Sequence, residues 1–450
     1  VFFISVKETS LVAKQAVATE SNHPRFAVPE ANRIPVSDYR AHMLDIPPSR
    51  MFLINETLQI YRERMGANAI TYDASQGDGG KSLPGVPVEV LERAFKLQVE
   101  HGSAYDKPWG TPLFRQTAVE NYWKLDAASG WGTDNIVFCQ GGRDGLLKIY
   151  NAITSLNEGR IGDALVVSRV PWISYTWGSY SAGLNILLAP GDAAEGWRFT
   201  SESIKASAEY ARRDGRSVAA LLITSPDNPT GRTLSVEEQA VLAHTALENG
   251  YPFVIFDWMY HWVTDHGPSD INAMLQFFSP VERERLIFLD GITKSLGASN
   301  IRSGQIMAGK EVVKHITSQA SHGVVPSFFA QAVAIAAYQM GFEKAAASII
   351  QPTSESRKVL RAALTKVNVP FIMGDGYYAF INCTRYLEAG GLQNSEELLK
   401  YLGENYGVAV VPGMYFSDAG TNWVRFSYAL PPEITLGAVE RLFEGLNALL

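Results

Sequence analysis

Residues 218–258 read VAALLITSPDNPTGRTLSVEEQAVLAHTALENGYPFVIFDW. The opening run, VAALLIT, is apolar or β-branched throughout, without alternation. That pattern marks a strand buried on both faces. SPDNPTG follows, a cluster of turn formers. VEEQAVLAHTALENG then reads as a helix, and PFVIFD as a second buried strand. Strand, helix and strand in this order argue for neighbouring parallel strands with the helix packed on one face of their sheet.

The same rhythm extends in both directions. NIVFCQ (135–140), ALVVSRV (164–170) and LNILLAP (184–190) precede the stretch, and LIFLDGI (286–292) and GQIMAG (304–309) follow it. The chain therefore reads as an α/β protein built on a mainly parallel seven-stranded sheet flanked by helices. The last two runs are too close for a helical crossover, so GQIMAG pairs antiparallel. After Pro326 the texture changes. Ala-rich helices (FFAQAVAIAAYQMGFEKAAASII, SESRKVLRAALTKV) lead to short strands (GYYAFINC, GVAVVPG, NWVRFSYA) and a closing helix, TLGAVERLFEGLNALL. These read as a smaller α+β domain. The division expected is an N-terminal arm over 1–40, a large domain over 70–325, and a small domain from 41–69 plus 326–450.

Composition narrows the function. The 450 residues are 46% hydrophobic and 19% charged, ordinary for a globular enzyme and too long for one small core. The net charge of −7 comes without Lys/Arg clusters, so nothing marks a nucleic-acid partner. No apolar run is long enough to cross a bilayer. Both cysteines, Cys139 and Cys383, sit in apolar runs and read as buried free thiols. No metal-ligand spacing stands out. The expected compartment is the cytoplasm; an organelle stays open, since the chain begins on Val rather than Met.

One motif is deceptive. SQGDGGKS (75–82) approximates a phosphate-binding P-loop, but Ser75 stands where its first glycine belongs, and Pro84 and Pro87 break the helix it must open into.

The residues that carry chemistry sit at strand ends. Lys294 lies among Gly291, Thr293, Ser295 and Gly297, small neighbours that let a ligand approach, with Arg302 eight residues on. A lysine nucleophile needs a partly desolvated, electropositive setting to free its amine, and an arginine nearby also grips phosphate. Asp257 closes a buried strand, where a carboxylate is costly without a cation or donors; its bland reading is a structural cap or ion pair. Tyr260 follows three residues later. Asn228 sits in the SPDNPTG turn. Gly141-Gly142-Arg143 links a strand to a helix, a turn that presents N–H groups to anions. Trp172 follows another strand; alone it reads as core, yet its flat face also suits an aromatic ring.

Taken in order, these segments resemble the class I/II aminotransferases, the aspartate aminotransferase family of pyridoxal-5′-phosphate (PLP) enzymes of fold type I. SPDNPTG resembles that family's Asn-Pro-x-Gly turn and FDWMYHWVT its Asp-Glu-x-Tyr segment. ITKSLGASNIRSG resembles its Ser-Lys-(seven residues)-Arg-x-Gly motif, VPWISY its stacking-tryptophan segment, AYDKPWGTPLFR its Tyr-x-x-x-x-Gly-x-x-x-x-Arg leading helix, and WVRFSYA its late Arg-x-Ser strand.

The resemblance implies roles. Lys294 would hold PLP as a Schiff base and shuttle the proton at the substrate's α-carbon. Asp257 would pair with the pyridine nitrogen, and Asn228 and Tyr260 would hold the ring oxygen. Trp172 would stack on the ring. Gly141, Gly142, Arg143 (through its backbone), Thr293 and Arg302 would bind phosphate, joined by Tyr105 acting on a neighbouring subunit. Arg425 would clamp the substrate α-carboxylate, with Gly77 and Asn228 beside it. A homodimer with shared sites, acting on an amino acid and a 2-keto acid by a ping-pong mechanism, is the implied whole. Trp258 and Thr293 depart from the family pattern without removing a catalytic group. Other reactions of the same cofactor (β-elimination, cyclisation, decarboxylation, oxidation) use the same residues, and a non-catalytic PLP-binding protein is a more distant alternative.

Overall fold

The computed structural model describes Ile46 and residues 50–450 apart from 67 and 159; the arm over 1–40 lies outside the described residues. Seven strands form the main sheet: β1 (Ile136–Cys139), β2 (Ala164–Val167), β3 (Asn185–Leu188), β4 (Val218–Thr224), β5 (Phe253–Asp257), β6 (Leu286–Gly291) and β7 (Gly304–Ala308). Their order is β1-β7-β6-β5-β4-β2-β3. All neighbours are parallel except β7, which runs against both β1 and β6. Five strands thus share one direction with β1, and their carboxyl ends form one edge.

The strands are buried almost without interruption, because helices cover both faces. Val254, Ile255 and Phe256 at the centre are inaccessible, and each contributes roughly 1.5–3 kcal/mol by burial. Helix α3 (Gly142–Leu156) packs on one face with α4 (Ile173–Ser181); α5 (Val236–Glu248) packs on the other. Ser235 and Glu238 close a capping box at the start of α5, satisfying N–H groups that the helix cannot.

A second sheet, β10-β11-β9-β8, is antiparallel throughout: β8 (Phe371–Met373), β9 (Tyr378–Asn382), β10 (Val411–Pro412) and β11 (Trp423–Ser427). Helices α7 (Phe342–Lys366) and α8 (Pro432–Asn447) pack together over its core. Helix α6 (Phe328–Met340) is apolar all round, as a fully buried helix is, and its side chains belong to the cluster beneath the large sheet. We propose on that ground that the second domain boundary falls after α6 rather than at 326.

The leading helix read over 104–115 begins later. Thr111 caps it and the helix runs Pro112–Thr117, continuing as a π-helical stretch over Ala118–Tyr122. Pro108 and Gly110 do not favour an earlier start, whereas Pro112 suits a first helical position. Both cysteines are buried and free. No helix among the described residues is long and apolar enough to cross a membrane.

Candidate active site

The carboxyl edge of the large sheet collects the residues singled out by sequence. Asp257 ends β5, Lys294 lies three residues past β6, and Asn228 four past β4. Trp172 lies five past β2, and Gly141 two past β1. Arg302 stands on the same edge because β7 begins there. This is where an open α/β sheet binds ligands. A cavity of about 360 Å³ is lined by Gly142, Arg143, Trp172, Asn228, Asp257, Tyr260, Thr293, Lys294 and Arg302, together with Tyr175, Met259 and Ser299.

At one end the site is built for an anion. Helix α3 starts at Gly142 without a side-chain cap, so its first N–H groups and dipole face the cavity. Gly141 has φ of +83°, and a side chain there would collide with the Arg302 guanidinium. Arg302 is tethered to the carbonyls of Gln140 (2.8 Å) and Ser299. Thr293 presents a buried hydroxyl with no partner among the described residues.

At the other end lies Asp257, 3% exposed. Its carboxylate accepts from the Tyr175 hydroxyl (2.7 Å) and the Met259 N–H (3.1 Å) but has no ion pair among the described residues. Burial pushes its pKa up to about 6, the hydrogen bonds pulling only partly back. A carboxylate that lacks a cation at one end, and an unpaired hydroxyl beside a helix start at the other, fit a cofactor with a protonated ring nitrogen and a phosphate. PLP satisfies both.

Lys294 is half-buried and its ammonium donates to the Gly77 carbonyl. Desolvation lowers its pKa; Tyr378 and Asp78 oppose the shift, and Arg425 and Arg143 reinforce it. The amine is thereby closer to the free base that a nucleophile requires.

A larger cavity of about 1050 Å³ opens from the same residues toward solvent, and Gly77 and Arg425 line it. Arg425 lies in β11, 3% exposed. Its guanidinium donates to Asn228 Oδ1 (2.8 Å) and to the Ser75 carbonyl (2.7 Å), and its Nε has no partner among the described residues. It meets no carboxylate among the described residues. Arg143 also lines both cavities, its guanidinium 5.6 Å from the Trp172 ring centroid.

Tyr105 is the exception. It is 95% exposed and away from both cavities. Two residues escaped the sequence reading. Tyr175 holds Asp257; it sits in the first turn of α4, just after Trp172, in the segment VPWISY. Tyr378, at the start of β9, gave no signal in the sequence. Trp258 is explained by packing: its indole donates to Gln239 (2.8 Å) and stacks on His261, behind the sheet edge.

Comparison with known proteins agrees. The family model for aminotransferase class I and II matches residues 103–442. Aspartate aminotransferase of Geobacillus stearothermophilus is 25% identical over 395 residues, 87% of this chain and 96% of the relative. Aspartate/prephenate aminotransferase of Thermus thermophilus is 26% identical over 403 residues, 88% of this chain and 95% of the relative. Among solved structures, Thermus thermophilus aspartate aminotransferase with maleate has the same fold, with a TM-score of 0.75 at 22% identity, covering 89% of this chain and 97% of that one. Sheet order, the site at its carboxyl edge and a family match over three-quarters of the sequence lead to one assignment: the chain belongs to the class I and II aminotransferases, PLP-dependent enzymes of fold type I.

Proposed function

We propose that this aminotransferase acts through Lys294, Asp257 and Tyr260, takes the substrate α-carboxylate at Arg425, and prefers an acidic amino donor. The observation that carries the reading is Arg425. A guanidinium buried without an anion costs on the order of several kcal/mol, so a chain retains one where a ligand supplies the charge. Bound beside it, PLP supplies an electron sink for the pair left when the substrate's Cα–H bond breaks.

The protein's own groups do the rest. Asp257 would hold a proton on the ring nitrogen of a bound PLP. Tyr260 and Asn228 would donate to its ring oxygen, and Trp172 would pack against the ring. Arg302, Thr293 and the first N–H groups of α3 would hold the phosphate. Arg425, with Gly77 and Asn228, fixes the carboxylate so that the Cα–H bond stands toward Lys294. The Lys294 amine takes that proton and returns one on the opposite leg. The enzyme converts an amino acid to its keto acid and then aminates a second keto acid, a ping-pong cycle.

Acidic specificity rests on Arg143. Its side chain is exposed at the junction of the two cavities and has no carboxylate partner among the described residues, so a distal carboxylate has a cation to meet. The relatives named above, aspartate aminotransferases, are consistent with it. A homodimer completes the proposal: Tyr105 and the apolar residues Val88, Phe95 and Val99 of α2 (Val88–His101) are exposed in the single chain, and a second copy would cover them.

The test is steady-state kinetics on Arg425→Ala and Arg143→Gln. Arg425→Ala should raise KM for every amino donor by about 30-fold or more. Arg143→Gln should lower the preference for aspartate over alanine by about twofold to fivefold. Unchanged KM in the first variant, or an unchanged preference in the second, contradicts the corresponding assignment.

A further inference from the structure

Two adjacent tyrosines reach the site from the small sheet. Tyr377 donates its hydroxyl to the backbone carbonyl of Lys294. Tyr378, 1% exposed, opens β9 beside β11, where Arg425 lies. Its ring centroid is 4.2 Å from the Arg425 guanidinium carbon. Its hydroxyl oxygen lies 2.9 Å from that of Tyr260. A Cβ added at Gly77 would come within 2.7 Å of that hydroxyl oxygen and 3.6 Å of Lys294 Nζ, so all three groups share one corner of the cavity.

A phenol has one proton to donate. If Tyr260 donates to the cofactor's ring oxygen, the hydrogen bond between the tyrosines must run from Tyr378 to Tyr260. Burial holds the Tyr260 phenol far above its usual pKa, so it stays a donor. A bond received polarises Tyr260 and strengthens the bond it gives. The charged groups facing the pair are Arg425 from β11, Lys294 after β6 and Asp257 at the end of β5, with Asp78 bearing on Lys294.

We propose that Tyr378 is a positioning residue for transamination: its hydroxyl donates to Tyr260 and sets that residue's aim, while its ring face seats Arg425. The proposal rests on the reading of Tyr260 and Arg425 given above, and the test separates the two.

The measurements are the pH midpoint of the cofactor's visible band, kcat, and KM for the amino donor, in Tyr378→Phe, Tyr378→Leu, Tyr260→Phe and the Tyr260→Phe/Tyr378→Phe double variant. Tyr378→Phe keeps the ring, so KM should stay within about twofold of wild type while kcat falls about threefold to tenfold. The spectral midpoint should rise, because the ring oxygen is held less well. Tyr378→Leu removes the ring face and should also raise KM about threefold to thirtyfold. In the double variant the midpoint should match that of Tyr260→Phe alone, since the two hydroxyls act as one unit. A Tyr378→Phe midpoint equal to wild type, or a shift that persists undiminished without the Tyr260 hydroxyl, overturns the proposal. If Tyr260→Phe itself leaves the midpoint unmoved, the underlying reading of Tyr260 fails and this inference falls with it. Tyr378→Phe is the conservative change, so a Leu variant that does not fold leaves the midpoint comparison intact.

Discussion

Asp257 is held by a tyrosine hydroxyl and a backbone N–H, with no cation paired to it among the described residues. Its pKa in the folded protein is pushed up to about 6 by burial, above the ordinary 3.8. The folded apoprotein therefore binds a proton more tightly than the unfolded chain. Below about pH 4 both states are protonated and the group costs nothing. As pH rises through 6 the folded state loses stability relative to the unfolded one, by roughly 1–3 kcal/mol. Asp257→Asn should stabilise the apoprotein by about that amount at pH 8, with the gain fading toward pH 4. Urea unfolding across pH measures it. The same variant should lose about a hundredfold or more in kcat. Equal stability at pH 8 would mean the carboxylate is not short of a cation. At this scale a fixed spacing in sequence is a good guide to which groups share the cavity, as with Lys294 and Arg302. Sequence is a poor guide where a partner arrives from another strand. Tyr378 meets Tyr260 across 118 positions of sequence, and no local pattern announces that.

The turn that imitates a P-loop shows what its glycines do. Gly79–Lys81 forms a 3₁₀ turn capped by Asp78, and Gly80 packs backbone to backbone against Gly297, three residues past Lys294. A Cβ at Gly80 would overlap the Gly297 carbonyl. The close approach locks the segment carrying Gly77 onto the loop carrying Lys294. Gly80→Ala should cost about 1–3 kcal/mol in stability, as overpacking does, and raise KM for the amino donor by moving Gly77. Thermal unfolding and steady-state kinetics check both; a variant with wild-type values would show that the loops are not coupled. The strands were legible because double burial writes an unbroken apolar run, and the antiparallel β7 because no crossover fits before it. The leading helix was legible only in part. Its start depends on the Thr111 cap, and the π-helical stretch after it has no sequence period of its own.

At the scale of the molecule, the exposed face of α2 and the exposed Tyr105 mark the surface proposed to meet a second copy. Sedimentation equilibrium should return twice 49.4 kDa. Tyr105→Ala should weaken cofactor retention about tenfold if that hydroxyl reaches the other subunit's phosphate. A monomer with full activity would remove Tyr105 from the site. The α/β architecture and the smaller second sheet followed from strand rhythm and the change of texture after Pro326. The boundary proposed after α6 rests on packing alone, since α6 is as apolar as the core it joins.

Whether Lys294 holds PLP and the protein shuttles an amino group is decided by the visible spectrum of the purified, PLP-loaded protein, recorded before and after adding single amino acids. The prediction is a yellow band, absent in Lys294→Ala, that bleaches with an acidic amino acid and returns when a 2-keto acid is added. A band that shifts but never recovers with a keto acid, or no band after PLP is supplied, would contradict that role for Lys294.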